Sequence, residues 1–150
     1  MRTYVDTSVF GGIFDDEFER ASKIFFEQAD KGIFQICISP VTIAELKLAP
    51  DFVQSFLNKK KDSLIELPVT ADCLKLQSKY LEYGILTQKS SNDALHVAIA
   101  TVSGCPMIVS WNFKHIVHHQ KIPLFNFVNT AIGFLNIGIY SPPEVIQYEK

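Results

Sequence analysis

The sequence predicts an α/β fold: a three-layer α/β/α sandwich around a central, mainly parallel sheet. Short apolar segments alternate with longer segments whose apolar residues recur every three or four positions, the spacing of helices that bury one face. Strands that alternate with helices in this way are typical of parallel sheets covered on both faces. An apolar share of 47% in 150 residues is enough for a full core. We therefore expect a single domain over residues 1–150.

The first segment predicts a buried strand that ends at an acid. Tyr4 and Val5 favour a strand, and Asp6 follows them directly. A carboxylate at the end of a central strand is costly unless it is paired, hydrogen-bonded or bound to a metal. The carboxyl ends of the strands are also where open α/β sheets bind ligands. A simple turn, in which short polar side chains bond their own backbone, is the alternative for residues 6–8.

The next segments predict a helix, a strand and a second helix. Apolar residues recur at helical spacing from Phe14 to about Lys31, and residues 33–38 form a short, mostly apolar run. Ser39 and Pro40 are typical of an N-cap and a first helical position, so a helix should run from 41 to 48. Phe26 lies off the apolar stripe of the first helix, and we expect it to be exposed.

Glu45 occupies an unusual position on the second of these helices. It lies on the stripe formed by Val41, Ala44 and Leu48. A surface glutamate normally avoids such a stripe, so this placement indicates a partly buried carboxylate with a function. The alternative is a glutamate at the edge of the stripe, with its stem packed and its head in water.

Three further helices and one strand are predicted in the middle of the chain. Residues 51–60 and 69–83 show helical spacing, and residues 64–67 form a short strand between them. The segment 94–102 is apolar nearly all round, which is typical of a buried helix.

Asp93 stands at the start of that buried helix and shares a stripe with Val97 and Ala100. Two interpretations are open: a site acid, or a capping box in which Asp93 reaches back to Ser90. His96, on the same helix, is interpreted as a hydrogen-bonded core residue and not as a ligand.

The last third of the chain repeats the opening pattern. Residues 107–109 predict a buried strand, and Ser110, Trp111 and Asn112 follow it with hydroxyl and amide groups. We then expect a helix over 124–135, a strand over 136–140, and a last helical turn or a tail from Ser141.

Four side chains should therefore meet at one edge of the sheet: Asp6, Glu45, Asp93 and Asn112. Carboxylates that gather without a cation repel each other, and oxygen ligands without cysteine or clustered histidine select Mg²⁺ or Mn²⁺. Such a cage favours phosphoryl transfer. The sequence has neither a P-loop nor a nucleophilic serine or cysteine motif, which leaves metal-dependent hydrolysis of a phosphodiester.

Composition limits the location and the partners. The net charge is −2, so any contact with nucleic acid must use a local positive surface or a metal. Three distant cysteines without a CxxC pair suggest reduced thiols in a cytoplasmic protein. We expect no signal peptide, because Asp6 interrupts its first apolar stretch, and no membrane segment, because no apolar run is long enough.

Four motifs, in order along the chain, resemble those of PIN-domain nucleases and specifically the VapC-like toxins of bacterial type II toxin–antitoxin pairs. The motifs are Tyr4-Val5-Asp6-Thr7-Ser8-Val9, Ser39-Pro40-Val41-Thr42-Ile43-Ala44-Glu45-Leu46, Asn92-Asp93-Ala94-Leu95-His96-Val97-Ala98-Ile99-Ala100 and Ile108-Val109-Ser110-Trp111-Asn112-Phe113-Lys114-His115. The resemblance rests on all four motifs and on their order along the chain.

The resemblance implies an endoribonuclease that uses Mg²⁺ or Mn²⁺. Asp6 and Asp93 would be the direct metal ligands, with Glu45 reaching the metal or a water. Ser8 would hydrogen-bond within the site. Asn112 stands where many members carry a fourth aspartate, so a second metal should bind weakly or only with substrate.

The resemblance also implies a homodimer and an antitoxin whose C-terminal segment covers the toxin's helices, for which we suggest a surface around Phe26, Phe52 and Phe56. Lys47, Lys114 and Lys121 are the expected phosphate contacts if RNA binds. Two other functions stay open: a catalytically weak module that binds RNA or protein, and a small-molecule phosphatase.

Overall fold

The computed structural model describes residues 1–148. Five strands and eight α-helices follow one another in the order β1 Arg2–Val5, α1 Thr7–Gly12, α2 Glu19–Asp30, β2 Gln35–Ile38, α3 Pro40–Leu46, α4 Asp51–Lys60, β3 Ile65–Glu66, α5 Ala71–Glu82, α6 Ser91–Val102, β4 Met107–Val109, α7 Lys121–Ile132, β5 Gly138–Tyr140 and α8 Pro142–Val145. Short 3-10 turns lie at Lys61–Ser63 and Gln88–Ser90.

The strands form one sheet in the order β3-β2-β1-β4-β5, and every described pair is parallel. β1 is the central strand, with β2 on one side and β4 on the other. Because all strands point the same way, the residues that follow β1 and β4 emerge at one edge. The predicted fold class, a sheet between two layers of helices, is confirmed.

Two hydrophobic clusters cover the two faces of this sheet. Tyr4 and Ile108 contribute to the cluster that contains α5 and α6. Val5 and Val109, the next residues along the same strands, contribute to the cluster that contains α1 and α2. Successive strand residues point to opposite faces, so each short strand supplies both clusters.

The predicted start of the first helix, at Phe14, was wrong. The chain forms α1 directly after Asp6, and α2 begins only at Glu19. Between them, the side chain of Asp15 accepts a hydrogen bond from the Glu17 amide, and its carbonyl accepts one from Phe18. These bonds close a turn, so Phe14 does not belong to the stripe of α2 even though its spacing fits.

Phe26 and Leu48 were also placed wrongly. Phe26 is only 3% exposed, because α2 packs against both the sheet and α4, so that Phe25 and Phe26 are buried side by side. Leu48 is 91% exposed, because α3 ends at Leu46 and the chain turns before the predicted stripe is complete.

The end of the chain follows the prediction with shifted limits. Helix α7 begins three residues earlier than expected and ends at Gly133, whose φ of +98° is a left-handed conformation that glycine adopts without strain. After β5, Ser141 caps a last helical turn, α8.

Cys37, Cys73 and Cys105 are free thiols, as the spacing predicted. Within residues 1–148, no helix is long and apolar enough to cross a membrane.

Candidate functional site

The candidate site lies at the edge of the sheet where β1 and β4 end. Asp6 follows β1 and Ser110 follows β4, and the two strands are in register, with Val5 opposite Val109. The Asp6 amide donates a hydrogen bond to the Val109 carbonyl at 3.0 Å, so the pairing continues one residue past β1. Asp6 is thereby fixed at the centre of the sheet edge, although it is an acid with little exposed surface.

Two serines bind one oxygen of the Asp6 carboxylate. The hydroxyls of Ser8 and Ser110 donate to Asp6 Oδ2 at 2.7 Å and 2.8 Å. Ser8 in turn accepts a hydrogen bond from the Trp111 amide at 2.9 Å. The hydroxyls that follow the two strands therefore bind the same carboxylate. Asp6 is also the N-cap residue of α1, but its side chain makes no capping hydrogen bond to the backbone, so the simple turn considered above is not what this carboxylate forms.

Glu45 reaches the same edge from α3. Its Oε1 accepts hydrogen bonds from the Thr7 hydroxyl at 2.8 Å and from His96 Nε2 at 2.5 Å. The side chain is 32% exposed. The stripe used to predict this position was wrong, because α3 buries Thr42 and Leu46 instead of Val41, Ala44 and Leu48.

Asp93 lies in the first turn of α6 and pairs with a histidine. Its Oδ2 accepts a hydrogen bond from His115 Nδ1 at 2.8 Å. The capping box with Ser90 is not formed, because Ser90 makes no side-chain cap and lies beside His115 instead. The carboxylate is therefore half-buried at the site edge and is not used to begin the helix.

Asn112 is used for a turn. Its Oδ1 accepts a hydrogen bond from the backbone amide of His115 at 2.9 Å, and its own backbone amide donates to Ser110 Oγ at 2.9 Å. The Asn112 side chain therefore fixes the segment that carries His115, and His115 in turn is hydrogen-bonded to Asp93.

The electrostatics of the site reflect crowded acids. Burial raises the pKa of Asp93, and the charge of Asp6 raises it further against the hydrogen bond from His115. Burial also favours a neutral Glu45, but the hydrogen bond and charge of His96 outweigh burial and lower the pKa of Glu45. For His96, burial lowers the pKa, while Glu45, Asp6 and Asp93 together raise it.

His96 is a fully buried, hydrogen-bonded core residue, as interpreted from the sequence, but it also lies inside the site. Its Nε2 lies 3.5 Å from Asp6 Oδ1 besides bonding Glu45, and its Nδ1 lies 2.7 Å from the Tyr4 hydroxyl. The available signal was the position of His96 as the one ionisable residue within the apolar segment 94–102. His115 and Tyr4 were not assigned any role from the sequence.

The donor set suits a hard divalent cation. Potential ligand atoms of Asp6, Glu45 and His96 lie within 4.8 Å of one another. His96 Nε2 already faces two carboxylates and donates to one, so the carboxylate oxygens are the better ligands. Within residues 1–148, Asp6 Oδ1, Glu45 Oε2 and Asp93 Oδ1 accept no hydrogen bond. Carboxylate oxygens are ligands that Mg²⁺ and Mn²⁺ prefer.

The protein-family model "PIN domain" matches residues 3–114, which include the first three motifs in full and the fourth as far as Lys114. The search of curated proteins gives no match.

Solved structures share the fold at low sequence identity. VapC20 of Mycobacterium tuberculosis, described as a sarcin-ricin loop cleaving toxin, is 16% identical with a TM-score of 0.59, over 91% of this chain and 98% of that one. VapBC2 of Rickettsia felis, bound to a promoter DNA fragment, is 20% identical with a TM-score of 0.57, over 76% and 90%. FitAcB of Neisseria gonorrhoeae is 10% identical with a TM-score of 0.57, over 95% and 99%.

Proposed function

The chain belongs to the PIN domain family, and from this premise we propose that it is a Mg²⁺- or Mn²⁺-dependent endoribonuclease and the toxin of a toxin–antitoxin pair. We propose that residues 1–150 form a single domain of this kind, since both hydrophobic clusters pack on one sheet.

The observation that carries the proposal is the convergence of Asp6, Glu45 and His96, whose potential ligand atoms lie within 4.8 Å of one another, with Asp93 near enough for the charge of Asp6 to raise its pKa. Asp6, Glu45 and Asp93 each have one oxygen bound by protein donors and, within the described residues, one oxygen without a hydrogen bond. Burial, and to a lesser extent the charge of Asp6, raises the pKa of Asp93, so the ionised, metal-free site is destabilised. A bound cation neutralises the carboxylates and supplies charge for a phosphate oxygen.

Each side chain has a defined role in this proposal. Asp6 and Asp93 would hold the cation, and Glu45 would contact the cation or orient the attacking water. Ser8 keeps Asp6 in place by its hydrogen bond. Asn112 holds the turn that carries His115, and because it adds no charge, a second cation binds weakly.

The RNA backbone requires positive charge that the protein as a whole lacks. Lys47 follows α3 directly, two residues after Glu45, and Lys114 lies two residues after Asn112; both are exposed. We propose these two as phosphate contacts. Lys121 suits the role less well, because its Nζ donates to the Ile85 carbonyl at 2.9 Å.

The proposed antitoxin surface is an aromatic patch formed by Phe14, Phe52 and Phe56. Phe14 is 45% and Phe52 54% exposed, and their rings meet edge to face at 4.7 Å. Exposed rings of this kind are typical of partner surfaces. The buried Phe26 supports the patch from below and does not belong to it. A homodimer and a cytoplasmic location complete the proposal, the latter because all three thiols are free.

The decisive experiment is cleavage of a mixed RNA pool by the purified protein with Mg²⁺, Mn²⁺ or EDTA. Asp6→Asn preserves the shape of the side chain and should abolish cleavage. Asp16→Asn is the matched control, because Asp16 is exposed and outside the site. A phosphomonoester substrate tests for a phosphatase in parallel.

Metal-dependent cleavage that Asp16→Asn retains and Asp6→Asn loses supports the nuclease. Equal cleavage by both variants indicates a contaminant and contradicts it. A folded protein that binds the metal but cuts no RNA is a binding module instead.

A further inference from the structure

We propose that Tyr4 and His96 are positioning residues that hold Glu45 in the orientation in which its free oxygen faces the cation. This inference rests on the proposed function, because it concerns the same site. It is carried by one continuous chain of hydrogen bonds that begins at the N-cap of α3 and ends on Glu45, which lies on that same helix.

The chain of hydrogen bonds connects four side chains from three elements. The Tyr4 hydroxyl lies 2.8 Å from Ser39 Oγ and 2.7 Å from His96 Nδ1. His96 Nε2 lies 2.5 Å from Glu45 Oε1. Tyr4 comes from β1, His96 from α6, and Ser39 and Glu45 from the start and the last turn of α3. The chain therefore ties the two ends of α3 to the central strand and the buried helix.

The direction of each hydrogen bond follows from its neighbours. An ionised carboxylate can only accept, so His96 donates from Nε2 to Glu45. In the neutral ring Nδ1 then accepts, and Tyr4 must donate to it. The Tyr4 oxygen is left to accept from the Ser39 hydroxyl, whose own oxygen accepts from the Val41 amide at 3.2 Å. These bonds fix the neutral ring in one tautomer; when the ring is charged, Nε2 still donates to Glu45, and the Tyr4 oxygen accepts from Nδ1.

Burial keeps this arrangement of hydrogen bonds rigid. Tyr4, Ser39 and His96 are all 0% exposed. Water cannot replace a lost partner there without a cavity, and an unpaired polar atom in such a place is costly. Hydrophobic residues could fill the same space without needing hydrogen-bond partners. The hydrogen-bonded side chains therefore have a role besides packing the core.

The consequence for Glu45 is a choice between its two oxygens. His96 and Thr7 both donate to Oε1, which leaves Oε2 as the oxygen without a donor among residues 1–148. A glutamate has three side-chain torsions, and fixing one oxygen from two sides removes most of that freedom before a cation arrives. Outer partners that orient ligands in this way typically change metal affinity by about 10–100-fold when removed.

The test compares two tyrosines. Tyr4→Phe removes the hydroxyl that fixes His96. Tyr80→Phe is the matched control, because Tyr80 is also 0% exposed and its hydroxyl is bound to Asn129, in the part of the core formed by α5 and α7. Mn²⁺ alone is the probe, with its dissociation constant measured by electron paramagnetic resonance, and urea unfolding in EDTA reports stability.

We expect both variants to lose similar stability, and only Tyr4→Phe to bind Mn²⁺ about tenfold more weakly. Equal Mn²⁺ affinity in the two variants would overturn the proposal, because it would assign the Tyr4 hydroxyl to stability alone.

A second pair keeps the test decisive if Tyr4→Phe does not fold. In His96→Gln the amide nitrogen takes the place of Nε2 and can still donate to Glu45, whereas in His96→Asn it takes the place of Nδ1 and cannot. We expect His96→Gln to retain most of the Mn²⁺ affinity and His96→Asn to lose about tenfold. Equal losses in both would contradict an orienting role. Nitrogen-15 NMR of the wild-type ring should show the proton of the neutral form on Nε2, and a proton on Nδ1 alone would overturn the assigned order.

Failure of this inference is separable from failure of the proposed function. If the wild type binds Mn²⁺ and cuts RNA but the variant pairs behave alike, the positioning role is wrong and the nuclease stands. If the wild type binds no Mn²⁺, both are overturned.

Discussion

Gly12 offers a sharp test of the packing that supports the candidate site. It is the last residue of α1, and a Cβ at this position would lie 2.6 Å from Ser22 Oγ and 2.7 Å from Trp111 Nε1. Those two atoms are hydrogen-bonded to each other at 2.8 Å in the core. Gly12→Ala must therefore push the indole away from the serine.

The magnitude follows from three opposing effects. Overpacking a filled core costs about 1–3 kcal/mol. Breaking the buried bond between Trp111 and Ser22 costs about 1 kcal/mol more, and replacing a helical glycine by alanine returns about 0.5–1 kcal/mol. We expect Gly12→Ala to lower the free energy of unfolding by about 2 kcal/mol, a value that combines these effects.

Gly11→Ala is the matched control. The adjacent glycine belongs to the same helix, and a Cβ there would have no atom within 4 Å. It should leave stability unchanged or raise it by up to about 1 kcal/mol. Urea unfolding can be followed by fluorescence, because Trp111 is the only tryptophan and reports directly on the disturbed contact.

The displacement should reach the site as well. The Trp111 amide donates to Ser8, and Ser8 donates to Asp6. We expect weaker Mn²⁺ binding in Gly12→Ala and unchanged binding in Gly11→Ala. If the two variants are equally stable, the close packing of α1 against Trp111 is wrong.

Three further predictions concern pH, RNA and the antitoxin. Although burial lowers the pKa of His96, its carboxylate neighbours raise it, so its contribution to stability is complete below pH 6.5 and is lost as the pH rises through the folded-state pKa. The pKa of Glu45 is lowered, since His96 outweighs burial, so its contribution is present above pH 4.5 and is lost as the pH falls through the folded-state pKa. In EDTA, the stability difference between wild type and His96→Gln should therefore be largest between these pH values, and a difference that does not change with pH would contradict the ion pair. Lys47→Ala and Lys114→Ala should each reduce the slope of log affinity against log salt for uncleaved RNA by about 0.7, with little change in Lys121→Ala; equal slopes in all three would remove the proposed contacts. Phe52→Ser should weaken antitoxin binding at least tenfold in calorimetry, whereas Leu74→Ser, which replaces a similarly exposed residue on α5, should not; equal effects would exclude the aromatic patch.

The fold could be predicted because its signals are local. Strands such as 107–109 and helices such as 94–102 differ in length and apolar spacing, and the structure has both. Helix α1 was missed because six residues that include two glycines carry no helical signal. It forms because the sheet edge and the core hold Val9 and Phe10 in place, which is a tertiary effect.

The acids of the candidate site could be proposed from the sequence, whereas their hydrogen-bond partners could not. Asp6, Glu45 and Asp93 could be proposed because an acid beside apolar residues is visible in sequence. The bonds from Tyr4 to His96 and from His115 to Asp93 join residues 92 and 22 positions apart. No local pattern encodes such contacts, since the sheet order determines them.

The register of two strands explains why the chain repeats one pattern after β1 and after β4. Residues that follow β1 and β4 become neighbours because Val5 and Val109 are paired, and the carbonyl of Val109 binds the amide of Asp6. The hydroxyls of Ser8 and Ser110 can then meet on the same oxygen of Asp6. One serine alone could bind this oxygen from only one direction. The residues that follow β1 and β4 therefore fix the carboxylate together. The acid at the centre of the sheet keeps one orientation without a cation, and its second oxygen stays available for one.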